Sequence, residues 1–331
     1  MTSGTTAGQR RVPLVWAVRL AVSAAVLFAL FRFVPVENVW NEARRLPASL
    51  WLSALALFLV GHAAAAVKWR LLIGKGVSFT QAFQAHLAGL AANVCLPGIG
   101  GGDVVRAALV YRSAEDGSRL VVGSFADRLI DIFGLLLFAS AGALLAVRPE
   151  HDDLRPLLWL LVLGIVALLV ALPAALLIDR AFAKSPPQGR IGRILAHAAS
   201  ATAYLVRHPW RLALCLAISM AIQATFIGIN IAFASAVHAE APNAAWFFAW
   251  STAKIVAVAP ISLGGLGVRE AVMASLLAPF GADPAQVIAI GLIWQTVLYA
   301  SGLVGVLAQF VWSPEAKSGD RASDAAPERS G

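Results

Sequence analysis

Apolar residues run through this chain in stretches too long for core strands and too continuous for amphipathic surface helices. Six of them, at about 14–34, 49–68, 119–147, 156–178, 211–238 and 284–312, approach or exceed the ~20 residues that cross a bilayer as a helix. Two further apolar regions are interrupted. Residues 81–96 and 104–112 flank "LPGIGGGDVVR", and residues 243–259 and 268–280 flank "APISLGGLGVRE". The arms are short, and Pro and Gly separate them. This pattern predicts helix pairs that enter the membrane and return to the same side. Their broken backbone then needs a cover of protein or a water-filled cavity. The expected fold class is an all-α polytopic membrane protein with about six full spans plus two re-entrant broken-helix pairs. Full crossing by both pairs would give ten spans and would segregate the loop charges poorly.

Composition agrees. Of 331 residues, 59% are hydrophobic and 13% charged, with mean hydropathy +0.76; soluble domains carry about a quarter charged residues. The formal charge of +8 therefore belongs to loops that set topology, not to a nucleic-acid-binding surface. Arg10 and Arg11 mark residues 1–13 as a cytoplasmic N-terminus. Lys68, Arg70 and Lys75 follow the second span on the same side, and Arg112 and Arg119 with Glu115 and Asp116 follow the first broken pair. Arg180, Lys184, Arg190, Arg193, Arg207 and Arg211 outnumber Asp179 in the loop 179–210. Outer segments are neutral or acidic: Glu37 and Glu42 balance Arg44 and Arg45, and Glu150, Asp152 and Asp153 exceed Arg148 and Arg155. Both termini are thus expected inside, in a cell inner membrane, with 313–331 as a disordered polar tail. Leu14–Val34 lacks a cleavage motif and reads as a retained helix. Residues 190–207 read either as an amphipathic helix on the inner leaflet or as a solvated connector.

The two breaks repeat each other. Aligned on Pro97 and Pro260, Gly101 and Gly102 match Gly264 and Gly265, and Val105 and Arg106 match Val268 and Arg269. Three full spans lie between the copies, so their orientations oppose. The units are about 49–147 and 211–312, an inverted repeat of the kind many transporters use.

Polar residues inside the spans are the candidate chemistry. A helix restarting after Gly-Gly presents unpaired N–H groups suited to an anion, and Arg106 and Arg269 lie in the two restarting helices. An arginine there can hold a phosphate or carboxylate in a bidentate manner. Asp103 reads as an N-cap or as a transport residue. Glu270 follows Arg269, and both can equally face the outer aqueous boundary. In "ADRLIDI", Asp127 and Asp131 are one turn apart and Arg128 reaches Asp131. Arg128 and Asp131 sit roughly 14–18 Å along the helix past Arg119, a depth at which charges pair or line a cavity. The reading stays open between a structural ion pair and a site with one leftover carboxylate. Lys254 either snorkels outward or meets a headgroup. Gln223, Asn230 and Gln295 suit interhelical hydrogen bonds. His62 and His86 stand singly, and Cys95 and Cys215 form no ligand spacing, so no metal, disulfide or cofactor is expected. No nucleotide, protease or hydrolase motif occurs, which predicts a chain that is not an enzyme.

"NVCLPGIGGGDVVRAALVYR", "ADRLIDI" and "PISLGGLGVREA" together resemble the flippase-like membrane domain of lysylphosphatidylglycerol synthases over about residues 14–312. The resemblance matches Asn93, Pro97, Gly101, Gly102, Asp103 and Arg106 to the first element. It matches Asp127 and Arg128 to the second, where the family often has Glu-Arg, and Pro260, Gly264, Gly265, Gly267, Arg269 and Glu270 to the third. It implies a stand-alone translocating half without the synthase domain, with the re-entrant segments meeting in a central cavity. The expected activity is movement of a lipid headgroup between leaflets. The expected partner is a membrane lipid of anionic phospholipid, polyprenyl or hopanoid type, contacted by Arg106, Arg128 and Arg269. The alternative is a non-transporting scaffold for a lipid-biosynthetic enzyme.

Overall fold

The computed structural model describes residues 36–74, 76–95, 101–185, 187–258 and 265–311, together with Phe28 and Arg32. Among these residues the chain is helical, with no strand. The helices are α1 (Val36–Ala43), α2 (Ala48–Ile73), α3 (Phe79–Cys95), α4 (Gly101–Val110), α5 (Gly117–Ala146), α6 (Arg155–Lys184), α7 (Gly189–Arg207), α8 (Pro209–Ala236), α9 (Asn243–Val258), α10 (Val268–Leu277) and α11 (Pro284–Val311). Five of them, α2, α5, α6, α8 and α11, are long and apolar enough to cross a membrane. They match five expected spans; the run at 14–34 and the tail 313–331 lie outside the described residues.

Local chemistry sets the helix ends. The Asp116 side chain accepts the Ser118 N–H at 2.8 Å to start α5. Asp283 does the same for the Ala285 N–H at 2.7 Å ahead of α11, and prolines open α6 and α8. Pro is tolerated there because a first-turn N–H has no intrahelical partner.

The broken pairs form two helical hairpins, α3 on α4 and α9 on α10. The second arm of each has 10 residues, about 15 Å of helix, half the ~30 Å hydrocarbon core. Neither arm can cross alone. Each hairpin is preceded by a long helix (α2, α8) and followed by another (α5, α11), so the element order repeats.

Packing repeats as well. α5 lies along α9 and α11 lies along α3, the two most extensive helix contacts in the molecule, while α2 packs on α8. Each unit thus lays its last helix on the hairpin of the other. The spacing that relates Pro97 to Pro260 also relates Gly142 on α5 to Gly305 on α11. Both glycines mark close backbone approaches to the opposite hairpin, at Phe248 and Ala244 for one and at Leu87 and Ala91 for the other.

The core lies between the units. Phe58 stacks on Phe226 with centroids 5.0 Å apart, and Trp294 meets Trp250 edge-on at 5.0 Å. Outside this core, α6 leaves Trp159, Leu160, Leu163, Leu169 and Val170 exposed, as expected of a helix facing hydrocarbon. The segment 190–207 is a helix and not a solvated connector: Ala199, Ala201, Ala203 and Leu205 of α7 are buried. Ser200 and Arg207 both bond Asp179, at 2.7 and 2.8 Å, docking α7 on α6. Ile194 and Leu195, from the same apolar stripe, stay exposed.

Candidate functional site

Three elements converge on a network of charges in the first repeat. α2 brings Lys68, α4 brings Asp103 and Arg106, and α5 brings Asp127, Arg128 and Asp131. Lys68 pairs with Asp127 at 3.1 Å and bonds Asp131. Arg106 donates to Asp127 Oδ2 at 3.1 Å and lies 3.3 Å from Asp103. Arg128 bonds Asp103 and sits 3.7 Å from Asp131. Three bases face three acids, so the network closes on itself and no carboxylate is left over. Ser219 of α8 adds a bond to Asp131 at 2.6 Å, tying in the second repeat.

Burial divides these residues. Lys68, Arg106 and Asp127 are buried, whereas the Arg128 side chain is 45% exposed and Asp103 and Asp131 are partly open. Both terminal nitrogens of Arg106 and one face of its guanidinium are engaged, while Nε is buried without a hydrogen-bond partner among the described residues. Its guanidinium lies 4.3 Å from the Trp69 ring centroid, and Nη1 meets His86 Nδ1 at 3.2 Å. Arg106 therefore positions Asp127, and Arg128 is the guanidinium with a free face.

Several expectations change here. Lys68 is not a loop charge: α2 continues past it through Trp69 to Ile73, and it is 1% exposed. Asp103 is not the cap of α4. It lies within the first turn, and its carboxylate serves the arginines. The cap comes from the other arm, where Asn93 Oδ1 accepts the Gly102 N–H at 2.9 Å. A Cβ on Gly102 would lie 2.5 Å from that same oxygen, so a side chain there would push the arms apart. His86 and His62 are not solitary, because their rings lie 5.3 Å apart and His86 meets Arg106. Loss of the Asn93 cap in Asn93→Ala is expected to cost about 1 kcal/mol, read as a small fall in Tm of the purified protein.

The second repeat holds a smaller arrangement. Glu270 accepts the Gly267 N–H at 2.7 Å and so closes the first turn of α10. Arg269 bonds Glu270 at 3.0 Å and reaches the Gly291 carbonyl and Gln295 Oε1 on α11 at 3.1 and 3.2 Å. Both residues are buried, so of the two readings open in the sequence the one that faces them to the outer boundary falls. Each hairpin arginine lies near a tryptophan from a different element, Arg106 at 4.3 Å from Trp69 of α2 and Arg269 at 5.8 Å from Trp250 of α9. Lys254 does not snorkel. Its Nζ donates to Gln223 Oε1 at 2.9 Å and lies 5.4 Å from the Phe226 centroid. Asn230 bonds within its own helix, to the Phe226 carbonyl at 2.8 Å, and not across helices.

Gly101 opens α4, and Gly265 (φ 81°) stands in the turn before α10. Pro97, Pro260 and Gly264 lie outside the described residues. Lys68, Trp69, His86 and Gln295 belong to the arrangement but were not legible as site residues. The signal for Lys68 was present, because the apolar run resumes immediately after it.

Fold and interior together define a class: a multi-pass, all-α membrane protein whose paired hairpins carry charge at bilayer depth. The chain belongs to the family described as the lysylphosphatidylglycerol synthase TM region, which matches residues 16–305. Membership carries a function concerned with membrane lipids. No curated protein and no solved structure gives a match.

Proposed function

We propose that the chain moves a lipid headgroup between leaflets through the interior bounded by the two hairpins. One observation carries this reading: Arg128 sits in the middle of a long apolar helix, yet its side chain is 45% exposed. A charge open at that depth needs a polar cavity beside it. Its partners Asp103 and Asp131 are partly open as well. Arg128 would bind the headgroup while acyl chains remain in lipid. Exchange of conformation between the two repeats would expose the cavity to each leaflet in turn. No bond is made or broken, so the activity is transport and not catalysis. The proposed setting is the cell inner membrane, with both termini cytoplasmic.

The internal pairing of every charge in the network favours a second reading, in which the charges are structural and the chain is a scaffold for a lipid-modifying enzyme. Reconstitution separates the two. The full chain in liposomes is expected to move a fluorescent phospholipid into the reach of an external quencher. Arg128→Ala is expected to cut the rate per reconstituted molecule by about tenfold or more, the loss of a charge-assisted contact worth about 1.5–3 kcal/mol, while still eluting as a folded, monodisperse protein. Full transport by Arg128→Ala would end the headgroup role. No transport by wild type, with an enzyme co-purifying in fixed ratio, would support the scaffold.

A further inference from the structure

We propose that the transported lipid carries net negative charge on a phosphate headgroup, and that Lys254 is the residue that selects it. This inference rests on the translocation reading above.

Among the described residues the interior charges cancel, with one exception. In the first network Lys68, Arg106 and Arg128 face Asp103, Asp127 and Asp131. In the second, Arg269 faces Glu270. The two breaks, 96–100 and 259–264, contain no ionisable side chain. What remains is the Lys254 ammonium. Among the described residues no carboxylate lies within ion-pair distance of it. Its one hydrogen-bond acceptor is the neutral, buried Gln223. An ammonium has three donors, and among the described residues one of them has an acceptor.

Position supports the same role. Its acceptor Gln223 stands one turn along α8 from Ser219, which bonds Asp131 of the first network, and Lys254 itself stands one turn along α9 from Trp250, which faces Arg269 of the second at 5.8 Å. Lys254 therefore adjoins both networks and is ion-paired in neither. His62 adjoins it: its ring lies 6.0 Å from Phe226, the ring that Lys254 Nζ faces at 5.4 Å, and its Nδ1 is buried without a hydrogen-bond partner among the described residues. In the repeat register that pairs Pro97 with Pro260, Lys254 corresponds to Ala91. The charge is thus absent from the matching hairpin and is no part of the shared scaffold.

A partly buried site with one surplus positive charge favours a ligand with a surplus negative one. Phosphatidylglycerol and a polyprenyl phosphate share that chemistry. A zwitterionic phospholipid lacks the net charge, an uncharged triterpenoid lacks any, and an aminoacylated cationic lipid has the wrong sign.

The test is a headgroup series in vesicles of phosphatidylcholine holding the full chain. Fluorescent phosphatidylglycerol, phosphatidylcholine and a polyprenyl phosphate are compared. Wild type is expected to move phosphatidylglycerol or the polyprenyl phosphate about tenfold faster than phosphatidylcholine, the factor given by a preference of ~1.4 kcal/mol. Whichever anionic lipid is faster identifies the source. Lys254→Gln is expected to bring the ratio of anionic to zwitterionic rates to about one, and Lys254→Arg to keep it. Equal wild-type rates, or a preference that survives Lys254→Gln, would overturn the inference while leaving translocation intact. No movement of any lipid would instead remove the reading on which it rests. The wild-type series stands alone should Lys254→Gln not fold.

Discussion

Lys68→Ala is expected to leave little folded protein. The ammonium is buried on α2, pairs with Asp127 at 3.1 Å and bonds Asp131. Its removal strands two carboxylates against Arg106 and Arg128, which already serve Asp103. Breaking a buried pair from one side costs about 3–5 kcal/mol, a large share of the ~5–15 kcal/mol that holds a domain folded. The yield of monodisperse protein and its Tm in detergent should both fall sharply. Lys68→Met combined with Asp127→Asn removes charge of both signs together and is expected to recover a substantial part of the loss. That non-additivity is the mark of direct coupling. A Lys68→Ala protein with wild-type Tm would show that the network does not hold the fold.

Gly142→Val and Gly305→Val are expected to be comparably damaging, and by similar amounts. A Cβ on Gly142 would lie 2.5 Å from the Phe248 amide nitrogen and 2.7 Å from the Ala244 carbonyl. On Gly305 it would overlap the Leu87 carbonyl and lie 3.3 Å from the Ala91 nitrogen. Backbone cannot step aside as a side chain can, so the helix must move off the hairpin. Over-packing of this kind costs about 1–3 kcal/mol, and valine adds bulk beyond the first carbon. Gly228→Ala supplies the control, since a Cβ there meets nothing within 4 Å. Thermal unfolding followed by tryptophan fluorescence reads all three. Unchanged stability in either valine variant would contradict the close helix approach.

Much of the architecture is legible in the chain because hydrocarbon imposes length. The spans at 49–68, 119–147, 156–178, 211–238 and 284–312 match long helices, and Pro and Gly fall where the hairpins break. Pairing between distant helices is less legible. Lys68 looks like a loop charge when each residue is weighed by local hydropathy, since its acids stand two helices away on α5. Asp103 looks like a cap because Asp is a good cap, yet Asn93 on the facing arm reaches the N–H first. Arg269 and Glu270 look like boundary residues because adjacent charges suit water equally well. Only the approach of α11, with Gln295 and the Gly291 carbonyl, makes their burial affordable. The candidate residues of the first repeat do converge, whereas the division of labour between Arg106 and Arg128 depends on burial that no spacing encodes.

The two hairpins anchor their arginines differently. Arg106 is bound through carboxylates contributed partly by α5, in a network that extends to α2 and α8. Arg269 finds its carboxylate on the next residue, and its remaining bonds go to neutral oxygens of α11. Sliding α4 against α5 therefore pulls opposite charges apart, while α10 carries its ion pair with it. The two hairpins are thus tied down by different chemistry: one by ion pairs that run between helices, the other by a pair it carries within itself, two charge-assisted bonds to oxygens of α11, and the buried Met273 and Leu277.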